Sequence, residues 1–271
     1  MNTEQFPEDL IGVALVVLML GIRHGFDPDH LAAIDGLTRY NSSERPVLAK
    51  MAGLLFSLGH GLVIVPLSIY AASLAQTFDF PVWLDTFGTW VSITILLGLA
   101  VLNLLGVLRT PAHEAVQLKG WRHSFFARML NVHHAGAMLA VGAVFALSFD
   151  TLSQASLFAV LASKYQAWHI AVIFALLFVV GMLITDGING LFIAKLIKRS
   201  DREARVASRV MALAISGVSI LFAALSILGE MSPSFDEWRS GKEIWFGGLI
   251  VAIMVASYFV GRRLSEPYLA K

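Results

Sequence analysis

Apolar residues run without interruption from Leu10 to Ile22, stop at the cluster Arg23-His24-Gly25-Phe26-Asp27-Pro28-Asp29-His30, and resume to Leu37. A helix needs about 20 residues to cross a hydrocarbon core. The first span is therefore complete only if it continues through the cluster. Further apolar runs predict helices over Val47–Leu74, Thr86–Leu108, Ala135–Ala162, His169–Ile197, Val206–Leu228 and Ile244–Val260. The pattern predicts an all-α polytopic membrane protein with about seven transmembrane helices, forming one domain over residues 1–271. Outer-membrane barrels alternate apolar and polar residues and carry no such runs.

Charge then orients the spans. Lys and Arg are absent from the N-terminus and from 75–85, whereas Arg109, Lys119, Arg122 and Arg128 follow the third span. Lys195, Lys198, Arg199, Arg202, Arg205 and Arg209 follow the fifth. Basic loops stay on the cytoplasmic side, so the N-terminus is expected outside and the C-terminus inside. The acidic opening residues lack the basic region of a signal peptide. With no cysteine, disulfides and thiolate ligands are excluded. The basic loops satisfy the membrane rule and call for no nucleic acid; the partner expected from hydropathy is the bilayer. The sequence leaves a metallochaperone and a homo-oligomer open.

Ionisable groups inside a membrane are costly, from roughly 3 kcal/mol upward each, and mark function. His24, Asp27, Asp29 and His30 concentrate such groups within two or three helical turns, with Asp35 just beyond. Pro28 lacks an N–H, and it pushes residue 27 out of helical geometry. An opened helix would offer the bare carbonyl of His24 beside imidazole nitrogen and carboxylate oxygen. The other reading is a solvated loop between two short helices. His60, flanked by glycines in Phe56-Ser57-Leu58-Gly59-His60-Gly61, offers a third imidazole or a simple interhelical hydrogen bond. Asp150 and Asp186 fall near the middle of the fourth and fifth spans, as transport-path or proton-relay groups or as protonated structural residues. Phe26-Asp27 echoes Phe149-Asp150 in a helix of opposite direction, the mark of a 3+3 inverted repeat. Imidazole with carboxylate suits Ni²⁺, Co²⁺, Zn²⁺ or Fe²⁺; the donor types do not choose among these.

The motifs resemble those of the nickel/cobalt transporter (NiCoT) permeases. The spacing H-x-x-x-x-D-H is carried by His24, Asp29 and His30, F-S-x-G-H by Phe56 to His60, the F-D-T of G-F-D-T-A-T-E by Phe149 to Thr151, and G-M-x-x-x-D by Gly181 to Asp186. The family pattern has eight helices with the signature on the second, whereas here the signature is expected on the first. Gln154 stands where the family has an acid, Gly187 where it has threonine and Asn189 where it has aspartate. The resemblance implies secondary uptake of Ni²⁺ or Co²⁺ across a bacterial inner membrane, with the metal as substrate and no prosthetic group. His24, Asp27, Asp29, His30 and His60 are then the expected metal ligands. Asp35, Asp150, Gln154, Asp186 and Asn189 are the expected path or relay residues. The readings set against transport are an intramembrane metal-dependent enzyme, with Asp150 or Asp186 as base, and a proton-coupled carrier of a small organic solute.

Overall fold

The computed structural model describes residues 6–42, 45–74, 82–111, 114, 116, 134–147, 149–165, 168–198, 202–239 and 242–265, and all regular structure among them is helical. In chain order the helices are α1 (Phe6–His24), α2 (Pro28–Asn41), α3 (Pro46–Lys50), α4 (Ala52–Leu74), α5 (Val82–Arg109), α6 (Ala135–Phe145), α7 (Phe149–Ser163), α8 (Trp168–Lys198), α9 (Arg202–Met231), α10 (Pro233–Arg239) and α11 (Glu243–Ser265). Four of them, α4, α5, α8 and α9, are long and apolar enough to cross a membrane, and the bent pair α1/α2 makes a fifth.

The break between α1 and α2 follows from its sequence. Asp27 is extended (φ −64°, ψ 147°) and Pro28 opens α2, where its missing N–H costs nothing. The two helices meet at 54°. The carbonyl of His24 is not bare, contrary to expectation. It accepts the Asp27 N–H at 2.9 Å, while the Arg23 carbonyl accepts the Phe26 N–H. A tight turn has taken up the acceptors that proline would have orphaned.

Two other expected helices are interrupted. The run from Val47 divides at Met51 into α3 and α4. The run from Ala135 divides after Phe145, where Ala146 and Leu147 donate to the carbonyls of Gly142 and Val144. Neither break has a proline after it to announce it, and hydropathy passes through both unchanged.

The core follows from two sets of contacts. Phe56, Phe145, Met138, Leu99 and Leu37 pack where α2, α4, α5 and α6 meet. Ile64, Phe158, Phe174, Phe178 and Met182 pack where α4, α7 and α8 meet, with Val17 of α1. Helices come together here through small residues, which let backbones approach. A Cβ on Gly53 would overlap the carbonyl of Asp186, and Gly190 lies across from Gly53. That contact holds α4 against α8. Because Gly53 meets Asp186 while Gly61 meets Val179, the two helices run antiparallel.

Candidate metal centre

Three histidines from three elements meet between the two cores. His24 ends α1, His30 lies in the first turn of α2, and His60 lies within α4. Their ring centroids are 4.5, 5.1 and 5.3 Å apart, and all three are buried. One ring nitrogen from each lies within 4.8 Å of the others. Among the described residues, no other group of three or more His, Asp or Glu has this geometry.

Each ring is held at one nitrogen and bare at the other. His24 Nδ1 is 2.7 Å from Asp27 Oδ2, His30 Nδ1 is 3.0 Å from Asp186 Oδ2, and His60 Nε2 is 3.0 Å from Thr151 Oγ1. His24 Nε2, His30 Nε2 and His60 Nδ1 are buried with no hydrogen-bond partner. A carboxylate can only accept, so it fixes the ring proton on Nδ1 and leaves the lone pair on Nε2. Carboxylate support of this kind orients metal-ligating histidines and raises their basicity, whereas the Thr151 hydroxyl can donate or accept and holds the His60 ring in either tautomer. Two nitrogens on one ion at about 2.1 Å can be at most about 4.2 Å apart. An ion held by all three rings would need nitrogens that lie within 4.8 Å of one another to close to that spacing.

Asp186 is the hinge of this arrangement. It comes from α8, is 0% exposed, and its Oδ2 also accepts from Ser57 Oγ at 2.6 Å. Its Oδ1 has no partner. Gly25 makes the approach possible: a Cβ there would lie 2.7 Å from Thr185 Cβ and 3.0 Å from Asp186 Oδ1.

The remaining expected residues are distributed as follows. Asp27 supports His24, and Asp29 Oδ1 accepts the backbone N–H of His30 at 3.0 Å. The group of close ligand atoms consists of His24, His30 and His60. Asp35 lies elsewhere. The break turns α2, and Asp35 pairs with Arg39 Nε at 2.8 and 2.7 Å, both residues being fully buried. Arg39 continues to the carbonyl of Val116 and to Ser208 Oγ of α9, so this ion pair ties α2 to α9 and to the connection after α5. Gln154 Oε1 and Asn189 Nδ2 are buried without partners, each one turn from a site residue, Thr151 and Asp186 respectively. Asp150 lies in the first turn of α7, and its side chain is outside the described residues. Sequence reasoning passed over Ser57 and Thr151. Their positions within the Phe56–His60 and Phe149–Thr151 motifs were the available signal.

A family profile named NicO, described as high-affinity nickel-transport protein, matches residues 10–261. The chain is similar to a nickel transporter, NicT, of Mycobacterium tuberculosis: 29% identity over 286 residues, covering 91% of this chain and 76% of the relative. It is 33% identical over 213 residues to a high-affinity nickel transport protein of Cupriavidus necator, covering 67% of this chain and 59% of the relative. It is 28% identical to a cobalt transport protein, NhlF, of Rhodococcus rhodochrous, covering 84% of this chain and 77% of the relative. No solved structure matches the chain.

Proposed function

The chain belongs to the NicO family of high-affinity nickel-transport proteins, permeases and not enzymes, and from that premise we propose that it is a secondary transporter carrying Ni²⁺ or Co²⁺ across the bacterial inner membrane through His24, His30 and His60. The observation that carries this reading is the trio of buried, unpartnered ring nitrogens, each with its opposite nitrogen already held. Imidazole is a good ligand for nickel, and three of them leave coordination positions open for water or for the next ligand on the path. Nickel and cobalt are the metals named for the relatives.

The supporting groups have separate roles in this proposal. Asp27, Asp186 and Thr151 orient the rings. Asp29 holds the start of α2. Asp27, Asp29 and Asp186 together offset the charge of a divalent ion that would otherwise face hydrocarbon. Gln154 and Asn189 offer neutral amide ligands on the way in and out, and Asp150 lies on the same path. Asp35, neutralised by Arg39, serves the scaffold.

A seven-span, single-domain topology, N-terminus outside and C-terminus inside, accommodates these helices. The α6/α7 pair and α11 complete the count begun by α1/α2, α4, α5, α8 and α9. Two features favour an inverted repeat of the first three spans and the next three. Phe26-Asp27 and Phe149-Asp150 both sit where a span is broken, before α2 and at the start of α7. The crossings of α1 on α8 and of α6 on α4 are also built alike. A Cβ on Gly21 would overlap the Phe178 carbonyl, and one on Gly181 the Leu18 carbonyl. At the other crossing, a Cβ on Gly142 would overlap the Phe56 carbonyl, and one on Gly59 the Leu139 carbonyl. In each case the two contacted residues lie three positions from the two glycines on the same helices.

The test is uptake of radiolabelled nickel by cells expressing the wild type or His30→Ala, with Co²⁺, Zn²⁺, Mn²⁺ and Fe²⁺ as competitors. Saturable uptake that the variant loses is expected, with cobalt the strongest competitor. Equal uptake by the variant would refute the site.

A further inference from the structure

Resting on that transport reading, we propose that Phe56 and Phe178 are the two gates of the pathway, one on each side of the histidine centre, and that they open in alternation. Phe56 packs edge-on to His30, with ring centroids 4.9 Å apart, and Phe178 packs on His24 at 5.2 Å. Behind each stands a second phenylalanine: Phe145 at 5.2 Å from Phe56, and Phe158 at 5.5 Å from Phe178. All four side chains are at most 1% exposed.

The two aromatic pairs lie at opposite ends of the centre. Phe178 precedes Asp186 by eight residues on α8, about 12 Å at 1.5 Å per residue. Phe56 is adjacent to Ser57, whose hydroxyl bonds Asp186. Gly53 of α4 lies against Asp186 and Gly61 against Val179, so Phe56, three residues along α4 from Gly53, sits about five residues of α8, roughly 8 Å, from Phe178. His30 is attached at the Asp186 end, and His24 lies against Phe178. A divalent ion with its water cannot pass a buried, packed aromatic pair without moving it, because stripping the ion into apolar surroundings costs far more than side-chain packing returns. With both pairs closed the centre is sealed from both faces. With one open it communicates with one face only.

The backbone explains how each ring is coupled to a helix movement. The carbonyl of Phe178 fills the space that a Cβ on Gly21 of α1 would take, and the carbonyl of Phe56 fills that of Gly142 on α6. Each gate residue is thus clamped at one of two like crossings, each joining a helix of one half to a helix of the other. Rocking α1 on α8 shifts Phe178 against His24 and Phe158. Rocking α6 on α4 shifts Phe56 against His30 and Phe145. Two equivalent crossings between inverted halves supply two gates that respond to the same motion with opposite sign.

The chain has no cysteine, which permits a direct test. Met182 lies on α8 midway between Phe178 and Asp186 and is 0% exposed. Met182→Cys is made alone and with Phe158→Ala or Phe145→Ala, in right-side-out and inside-out membrane vesicles. Labelling with a membrane-impermeant methanethiosulfonate is then timed. We expect slow labelling of Met182→Cys alone. Phe158→Ala should speed labelling about tenfold or more from one face only, and Phe145→Ala from the other face only, a change well within the packing lost when a buried phenylalanine is truncated. Leucine at either position should give an intermediate rate from the same face, and it supplies the answer where an alanine variant fails to fold. Unchanged rates in folded variants, or labelling of each variant equally from both faces, would overturn the gates. Radiolabelled nickel binding to the detergent-purified Met182→Cys protein and to the wild type is measured in parallel. A wild type that binds no nickel refutes the transport reading itself. Normal binding without one-sided labelling refutes the gates alone.

Discussion

Replacing Asp186 with asparagine tests the idea that the centre works through the orientation of its rings. Asp186 Oδ2 accepts from His30 Nδ1 at 3.0 Å and from Ser57 Oγ at 2.6 Å, in a site with no solvent exposure. The asparagine side chain is nearly isosteric with aspartate, so packing changes little. Its carboxamide, however, presents one oxygen and one NH₂ group. With the NH₂ toward His30, Nδ1 must accept, the ring proton moves to Nε2, and the bare nitrogen ceases to be a ligand. With the oxygen toward His30 the tautomer survives, but the ring loses the basicity a carboxylate confers. Loss of such a supporting partner costs about 10- to 100-fold in metal affinity, or about 1.4–2.7 kcal/mol. Ser57→Ala removes only a hydroxyl donor to the same carboxylate, a charge-assisted bond whose loss costs about 1.5–3 kcal/mol locally and a smaller share of that in metal binding. The expected order of nickel affinity is therefore wild type, Ser57→Ala, Asp186→Asn, His30→Ala. Equilibrium dialysis of radiolabelled nickel against detergent-purified protein measures it. Wild-type affinity in Asp186→Asn, beside loss in His30→Ala, would refute the orienting role. Complete loss in Asp186→Asn, equal to His30→Ala, would mean that the carboxylate binds the ion itself.

Gly53→Ala places a methyl group into the carbonyl of Asp186. Overpacking of this kind costs about 1–3 kcal/mol, so thermal unfolding in detergent should shift down and nickel affinity should fall as Asp186 is displaced; a fully wild-type profile would contradict the crossing. Arg39→Leu leaves Asp35 charged, buried and unpaired, a loss of about 3–5 kcal/mol. Asp35→Asn/Arg39→Leu should recover part of that stability, and nickel affinity of the folded double variant should match wild type, since neither residue touches the histidines; recovery of neither would speak against a scaffold role. Nickel binding should weaken steadily as the solution is acidified across about pH 8 to 5, where protons compete with the metal for imidazole nitrogen. An affinity that does not change with pH would mean the bare nitrogens are not the ligands.

Much of this protein is written locally. Pro28 lacks an N–H and opens α2 at its first position, so the break beside Asp27 is readable from the local sequence, whereas Pro66 is carried inside α4. The long apolar runs α5, α8 and α9 appear within a few residues of where hydropathy puts them. His24, His30 and His60 stand out because imidazoles are rare in such runs. What hydropathy and spacing did not contain was the pairing. His30 meets Asp186 across 156 positions and His60 meets Thr151 across 91. Asp35, by its spacing a neighbour of His24, is claimed instead by Arg39 and turned toward α9. The break before Phe149 likewise has no proline to signal it. Helical periodicity decides which residues share a face of one helix. Which faces meet depends on where glycines such as Gly21, Gly53, Gly59 and Gly142 let backbones touch, and only the assembled helices decide that.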